Sequence, residues 1–302
     1  MPSDDPLDAL ATEALDGTGT DLAALATADL VRLVNDADAD VAGLVRTQLP
    51  VIGAAVDAIA ERMARGGRLV HVGAGTSGRL GVLDASEIPP TFGTPPGLVV
   101  GLIAGGPAAL VSAVEGAEDD AGAGARDVEA LALTEADTVV GIAASGRTPY
   151  VLGALAAARA HGCLTIAVSC NTSTPLSAAA DLGIEVPVGP EVVRGSTRLR
   201  SGTATKMVLN TLSTLAMVRL GKTYGNLMVD LRATNEKLRR RAVRIVVTAS
   251  GAGEDEAAAA LAAADGHAKT AVAMLVLGVG APAARAALEA AGGQLGDVVG
   301  HR

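Results

Sequence analysis

Short apolar runs recur between residues 68 and 187, and stretches with helical spacing separate them. The runs are rich in Val, Ile and Leu without alternating polar residues, which is typical of strands covered on both faces. Strands that alternate with helices indicate α/β architecture with a doubly wound parallel sheet. The pattern predicts strands at 68–72, 98–103, 138–143, 164–168 and 183–187.

Helical patterns flank this region on both sides. Between residues 21 and 65 we predict two helices, broken near 35–38, that cover other structure. Two more, joined by residues 221–230, are predicted between 205 and 249. The first of these is apolar on nearly every face, as in a buried helix or a subunit interface. Three short Ala-rich helices then predict a small helical domain, at 254–264, 268–277 and 281–291.

Turns rich in hydroxyl groups and glycine follow several strands, and the first is expected to lead into a short helix. Ligands of parallel sheets bind outside the carboxyl ends of the strands, where helix N-termini offer amides to an anion. Thr148 and Thr174, each followed by proline, are predicted helix caps. Hydroxyls, amides and a few Arg suit a phosphate monoester. We expect the ligand to contact three of these turns, through Gly75, Thr76, Ser77, Gly78, Arg79, Ser145, Gly146, Arg147, Thr148, Ser196 and Thr197.

The first turn admits two other interpretations. Residues 73–78 also spell G-x-G-x-x-G, the dinucleotide fingerprint, but no acidic residue stands at the end of the second strand to hold a ribose. The other alternative is a plain strand-to-helix turn without a ligand, since every parallel unit needs such turns. No Walker lysine pattern is present, which argues against a nucleoside triphosphate.

Two glutamates, Glu87 and Glu118, are the candidate catalytic residues. Glu87 follows the first turn, and Pro89 and Pro90 stiffen the chain behind it. Glu118 comes after the second strand and its helix, within reach of the same sheet edge. A solvated acidic helix end is the alternative for Glu118, because exposed glutamates are common. Two carboxylates without a metal or a nucleophile indicate general acid–base chemistry on a sugar-like substrate.

The composition limits which binding partners and which cellular compartment are expected for this chain. The chain has 302 residues with 24 basic against 33 acidic side chains, a net charge of −9, which argues against nucleic acid as a partner. Two cysteines imply no disulfide framework, and residues 1–10 lack a signal-peptide pattern, so we expect a cytoplasmic protein. The most apolar late run, 271–277, is too short to span a membrane. The four histidines are scattered, so no metal is expected.

Several motifs together resemble one family, the N-acetylmuramic acid 6-phosphate etherases, which are built on a sugar isomerase (SIS) domain. They include GAGTSGRLGVLDASEIPPTFG, AVEGAEDD and GIAASGRTPYV, and they cover most of residues 68–243. Thr12 and Glu13 match the opening of the family, but the polar pattern usual after them is degraded here. The motifs lie at 73–93, 101–106, 113–120, 141–151, 169–171, 195–206 and 225–243.

The resemblance implies an N-terminal helical segment (1–66), an SIS sugar-phosphate-binding catalytic domain (67–249) and a small helical domain (250–302). It implies a homodimer, without metal or nucleotide cofactor, that splits N-acetylmuramic acid 6-phosphate into N-acetylglucosamine 6-phosphate and D-lactate in cell-wall sugar recycling. Glu87 matches the family's proton donor, and Glu118 matches its second active-site glutamate. In the open-chain sugar the C2 proton is α to an aldehyde, so a carboxylate can remove it, lactate can leave C3, and water can add back.

Two other functions fit the same fold. One is a non-catalytic sugar-phosphate sensor like the glucokinase regulatory protein, and the other is an aldose–ketose isomerase of the same superfamily. The presence of both Glu87 and Glu118 argues against the sensor. Neither alternative would release lactate.

Overall fold

The structure is a computed structural model that describes residues 10–14, 20–230 and 236–301. The chain forms two compact units. The first contains the described residues up to Ala85 together with residues 99–213, and the second contains residues 86–98 and the described residues from Thr214 onward. The predicted domain boundaries at residues 66 and 249 stay a prediction.

Three helices, rather than the predicted two, precede the sheet: α1 (Thr27–Ala39), α2 (Val41–Arg46) and α3 (Leu49–Ala64). The predicted break at 35–38 is wrong. Helix α1 has no buried residue and continues through this stretch to Ala39, with Asp38 accepting a hydrogen bond from the Thr203 hydroxyl at 3.3 Å. The clear break comes between α2 and α3, which begins at Leu49 and has Pro50 in its first turn, where proline is tolerated. Helix α3 buries Ile52, Val56 and Ile59, so it covers other structure as predicted.

A parallel sheet of five strands forms the centre of the first unit, as predicted. Every strand lies within two residues of its predicted ends, because doubly covered strands are continuous apolar runs. Strands β1 and β3 are buried at every residue. The strands are β1 (Leu69–Gly73), β2 (Val99–Ile103), β3 (Thr138–Ile142), β4 (Leu164–Ser169) and β5 (Leu182–Glu185).

The strand order β2-β1-β3-β4-β5 fixes where a ligand can bind. The chain leaves β1 toward β2 on one side, and β3 then pairs with the other side of β1. Gly73 at the end of β1 is in register with Ile142 at the end of β3. The carboxyl ends of β1 and β3 therefore form a topological switch point, where sheets of this kind leave a crevice for ligands.

Helices follow each strand of the first unit: α4 (Gly75–Phe92), α5 (Ala121–Glu129), α6 (Pro149–Ala160), α7 (Pro175–Ala179) and α8 (Arg200–Arg219). Helices α5 and α6 touch through glycine, since a Cβ on Gly124 would lie 1.9 Å from the carbonyl oxygen of Tyr150. Helix α8 begins at Arg200 rather than near 205. It is buried along one side and not on nearly every face as predicted, since Lys206, Asn210 and Leu215 are exposed.

The predicted connection at 221–230 contains a small hairpin, β6 (Thr223–Tyr224) and β7 (Leu227–Met228). Helices α9 (Glu236–Ser250), α10 (Glu254–Ala263), α11 (Ala268–Leu277), α12 (Ala281–Ala290) and α13 (Leu295–Val299) follow it. The three predicted short helices are thus confirmed, and α9 and α13 pack on the same alanine-rich core. The motif at 225–243 and the degraded N-terminal pattern lie partly outside the described residues.

A buried carboxylate organises the polar interior of the second unit. Asp230 pairs with Lys222 at 2.7 Å, Lys269 at 2.9 Å and His267 at 3.1 Å. Burial would raise the pKa of Asp230, but the hydrogen bond from His267 and the two lysines outweigh it and hold that pKa far below its usual range. No single helix in the described part of the chain is long and apolar enough to cross a bilayer.

Candidate active site

The first turn of α4 is built into the end of the sheet. Helix α4 starts at Gly75, so Thr76, Ser77 and Gly78 lie inside it and not in a preceding loop. A Cβ on Gly78 would lie 2.6 Å from the Ile103 side chain and 2.7 Å from the carbonyl oxygen of Gly73. Glycine is therefore required there, and it brings the first amides of α4 against the carboxyl ends of β1 and β2.

Helix α4 is longer than the sequence pattern predicts. It has 18 residues, whereas we expected a short helix with a stiff proline segment behind it. Pro89 and Pro90 lie inside its C-terminal part. The prolines add no amide to the helix, but the α conformation continues through them to Phe92, which is buried. Glu87 is an exposed residue of this helix.

The turn after β3 is the neighbour of the α4 turn at the switch point. Gly146 donates its amide to Ala143 at 2.9 Å and has a φ of +67°. The Ser145 hydroxyl accepts a hydrogen bond from the Arg147 amide at 3.3 Å. Pro149 is the first residue of α6 and Thr148 is its N-cap residue, as predicted, although the Thr148 side chain makes no capping hydrogen bond. Its side chain stands at the turn without closing the helix end.

The N-termini of α7 and α8 are already occupied by carboxylates of the protein. Glu185 accepts from the amides of Ser173 at 2.8 Å and Thr174 at 3.0 Å, just before α7. Burial would raise the pKa of Glu185, but these amides and the Ser177 hydroxyl hold it below its usual range. Glu191 accepts from the amides of Arg200 and Ser201, both at 2.9 Å. This capping explains why α8 starts earlier than predicted.

Thr174 confirms the second predicted cap, since its hydroxyl accepts from the Ser177 amide at 3.1 Å.

Because carboxylates occupy the N-termini of α7 and α8, the turns after β1 and β3 are the better sites for an anion. Ser196 and Thr197 are half-buried and precede α8 in the chain. The start of α8 approaches α4, because a Cβ on Gly202 would lie 3.7 Å from the methyl carbon of Thr76.

A cavity of about 250 Å³ opens beside the first turn of α4. It brings together Gly75, Arg79 and Glu118 from the predicted set. Glu118 is exposed and lies in a 3-10 turn that Gly116 starts with a φ of +68°. The participation of Glu87 in the same site stays a prediction. The remaining walls of the cavity are Ala74, Ala104, Ala109, Ala113, Val114, Glu115, Gly116 and Ala117.

A larger cavity, of about 860 Å³, lies within the second unit. Its polar lining includes Asp230 and the two lysines that pair with it, Lys222 and Lys269, and it contains none of the predicted site residues. The smaller cavity is the candidate active site, because a helix N-terminus, a guanidinium and a carboxylate converge there. No group of three metal-ligating side chains occurs among the described residues.

One buried polar network of the first unit was not predicted from the sequence. His71 in β1 contacts Asp84 of α4, and Asp84 also accepts hydrogen bonds from Asn210 and Ser213 of α8. The available signal was a histidine inside an otherwise apolar strand. The two cysteines offer no nucleophile, because burial raises the pKa of Cys163 and of Cys170 to about 11.

Comparison with known proteins agrees with this architecture. The model of the glucokinase regulatory protein N-terminal SIS domain matches residues 51–159, and the SIS domain model matches residues 119–215. The solved structure of a phosphoheptose isomerase from Francisella tularensis has a TM-score of 0.52 at 18% identity, covering 64% of this chain and all of that one. This likeness concerns the fold alone, and it confirms the predicted SIS architecture.

Full-length relatives are far more similar. The N-acetylmuramic acid 6-phosphate etherase of Streptomyces avermitilis is 57% identical over 289 residues, which are 96% of this chain and 93% of that protein. The protein of the same name from Mycolicibacterium smegmatis is 55% identical over 294 residues, or 97% of this chain and 99% of its own length.

Proposed function

The chain belongs to the N-acetylmuramic acid 6-phosphate etherase family, and from this premise we propose that it cleaves the D-lactyl ether of N-acetylmuramic acid 6-phosphate. The products are N-acetylglucosamine 6-phosphate and D-lactate. The observation that carries the proposal is the cavity in which Glu118 meets the first turn of α4. It joins a carboxylate able to move a proton with a helix end able to bind an anion.

The substrate phosphate binds at the turns after β1 and β3. Thr76, Ser77, Gly78 and Ser145 supply amides and hydroxyls there, with Gly146, Arg147 and Thr148 completing the second turn. Ser196 and Thr197 approach from the segment before α8. The support for this assignment is that carboxylates fill the N-termini of α7 and α8, whereas the start of α4 opens into the cavity. The phosphate provides binding energy that holds the reacting carbons in place.

The reaction is an elimination followed by the addition of water. Glu118 removes the C2 proton of the open-chain sugar, whose acidity comes from the adjacent aldehyde. The electron pair is first held as the enolate of the aldehyde; it then forms the C2–C3 double bond as the C3–O bond breaks, and Glu87 protonates the departing lactate. Water then adds at C3 and restores the sugar. The scheme needs no metal, nucleotide or other cofactor.

Lactate release separates this function from its alternatives. An aldose–ketose isomerase would interconvert sugar phosphates, and a sensor like the glucokinase regulatory protein, whose SIS model matches part of the chain, would only bind them. Incubation with N-acetylmuramic acid 6-phosphate, followed by enzymatic measurement of D-lactate, tests the proposal. Stoichiometric lactate and N-acetylglucosamine 6-phosphate are expected. Binding of the substrate without lactate release would favour the sensor.

The protein acts in the cytoplasm as a homodimer. Leu215 and Val218 of α8 are 43% and 39% exposed and stand three residues apart, which favours a hydrophobic contact between subunits. Replacing both with Glu is expected to yield a monomer in light scattering. Val31→Glu, at an exposed position of α1, is the control that should keep the dimer. A wild-type chain that is monomeric and active at micromolar concentration would contradict the assembly.

A further inference from the structure

Arg79 has an anchored guanidinium at the cavity that contains Glu118. Its Nε donates to the carbonyl oxygen of Leu110 at 3.1 Å. In the described part of the chain this is the only hydrogen bond of the Arg79 side chain, and it forms no ion pair there. The two terminal nitrogens are therefore available for a bidentate contact with an anion.

Apart from Arg79, Glu115 and Glu118, the side chains that line this cavity are apolar. Ala109, Ala113 and Val114 line the cavity together with the guanidinium and Glu118. Val114 packs tightly on the chain below it, since a Cβ on Gly105 would lie 2.8 Å from the Val114 Cβ. A cationic fork next to small apolar side chains suits a short carboxylate that carries a methyl group.

The proposed substrate has two anionic groups, and their positions on the sugar decide which one meets Arg79. The phosphate is on C6, whereas the lactyl carboxylate is attached through oxygen to C3. Glu118 must reach the proton on C2, and C3 is bonded to C2. The Arg79 side of the cavity that Glu118 lines therefore receives the substituent of C3, whereas the phosphate on C6 lies at the amides of the first turn of α4.

We propose that Arg79 binds the lactyl carboxylate, and that Ala109, Ala113 and Val114 pack against the lactyl methyl. This inference rests on the proposed function. It separates Arg79 from the phosphate-binding residues with which the sequence pattern groups it. Arg79 is then the residue that selects the lactyl ether over sugar phosphates that lack it.

Two substrates that differ only in this charge test the assignment. One is N-acetylmuramic acid 6-phosphate, and the other is its lactamide, with a neutral amide in place of the carboxylate. Release of N-acetylglucosamine 6-phosphate measures kcat/KM for both. The wild type should prefer the acid by roughly 10- to 150-fold, as expected for hydrogen bonds between charged groups.

The variants identify the residue responsible. Arg79→Met should bring the preference for the acid close to one, and Arg79→Lys should leave an intermediate preference because lysine keeps the charge without the planar fork. Arg147→Met is the matched control, since it removes a cation from the phosphate turn and should lower kcat/KM equally for both substrates. An unchanged preference in Arg79→Met, or an equal loss for both substrates, would overturn the assignment. Arg79→Lys decides the matter if Arg79→Met does not fold.

Calorimetry separates this inference from the proposed function. In a Glu118→Gln background, N-acetylmuramic acid 6-phosphate should bind more tightly than N-acetylglucosamine 6-phosphate, and adding Arg79→Met should abolish the difference. A wild type that never releases lactate would refute the etherase activity. The tighter binding of N-acetylmuramic acid 6-phosphate, and its loss in Arg79→Met, would still be measurable and would test the role of Arg79 separately. A preference that persists in Arg79→Met would refute the role of Arg79 alone.

Discussion

His71 and Asp84 form a buried pair in the first unit, with the His71 Nε2 atom 3.0 Å from Asp84 Oδ2. The other oxygen of Asp84 accepts from Asn210 Nδ2 at 2.7 Å and from Ser213 Oγ at 3.0 Å. One carboxylate thus ties together β1, α4 and α8. The strand β1 and helix α4 flank the first of the turns proposed to bind the substrate, and α8 follows the segment that contains Ser196 and Thr197.

Asp84→Asn should destabilise the protein. The single NH2 group of the asparagine would replace an oxygen that now accepts hydrogen bonds, leaving buried polar atoms unsatisfied, and we expect a loss of roughly 1–3 kcal/mol in the free energy of unfolding. Urea unfolding followed by circular dichroism measures it. Asp29→Asn, which breaks an exposed pair with Arg32, should change stability by less than about 0.5 kcal/mol. Equal effects of the two substitutions would show that the network is not important for stability.

The fold follows closely from the sequence, and the details at the helix ends do not. The strands are readable because a parallel strand covered on both faces is a local apolar run. The carboxylate caps are not readable, since Glu191 precedes Arg200 by nine residues and acts only after the chain folds back. The length of α4 is hidden by Pro89 and Pro90, which usually end a helix.

The site was predictable to a similar extent. The turns after parallel strands can be listed from the sequence, and three of the candidate residues, Gly75, Arg79 and Glu118, line one cavity in the structure. Which turns remain open to an anion depends on contacts between distant residues, such as Glu185 with Thr174. The same holds for Asp84, whose partner Ser213 is 129 residues away. The pattern of residues in a single sequence does not show which distant side chains will contact each other.

Substrate binding should depend on the hydroxyls of the open turns and not on those of the occupied ones. Ser77→Ala and Ser145→Ala should each weaken the binding of the sugar phosphate by roughly 1–3 kcal/mol, for a lost hydrogen bond to a charged group. Thr172→Ala, an exposed hydroxyl in the turn that Glu185 closes, is the control and should bind normally. Calorimetry with N-acetylglucosamine 6-phosphate provides the dissociation constants. Equal loss at Thr172 would indicate that the phosphate lies nearer α7.

Asp230 should make the stability of the protein depend on acid pH. Its folded pKa is depressed, so its contribution is complete above the unfolded pKa, near 4, and is lost as the pH falls below that toward the folded pKa. At pH 7, Asp230→Asn should cost roughly 3–5 kcal/mol, because Lys269 stays buried without its counter-charge. The difference from wild type should shrink as unfolding is measured at pH values from 4 down to 2.

Asp265→Asn is the control for this pH series, since its carboxylate is largely exposed and pairs with Arg285 at the surface. Its unfolding free energy should stay close to that of wild type at each pH. A difference between wild type and Asp230→Asn that stays constant from pH 7 to pH 2 would contradict the depressed pKa of Asp230.

The two glutamates should fail at different steps of the proposed elimination. Glu87→Gln should release almost no lactate, yet still exchange the C2 proton with deuterated solvent, because the base at Glu118 is intact. Glu118→Gln should lose both exchange and release. Rate losses of about 10²–10⁴ are expected for each, since the amide has nearly the same shape but transfers no proton. Proton NMR of the substrate in deuterium oxide measures exchange, and an enzymatic assay measures lactate.

Labelled water shows which bond of the ether breaks, the one from oxygen to C3 of the sugar or the one from oxygen to the lactyl carbon. Elimination cleaves the C3–O bond, so ¹⁸O from water should appear on C3 of N-acetylglucosamine 6-phosphate and not in lactate, as read by mass spectrometry. Glu115→Gln is a useful comparison, because Glu115 lines the same cavity but has no proton-transfer role in the scheme. It should release lactate with the label in the sugar. Exchange that survives in Glu118→Gln but is lost in Glu87→Gln would reverse the two roles, and label found in lactate would exclude elimination altogether.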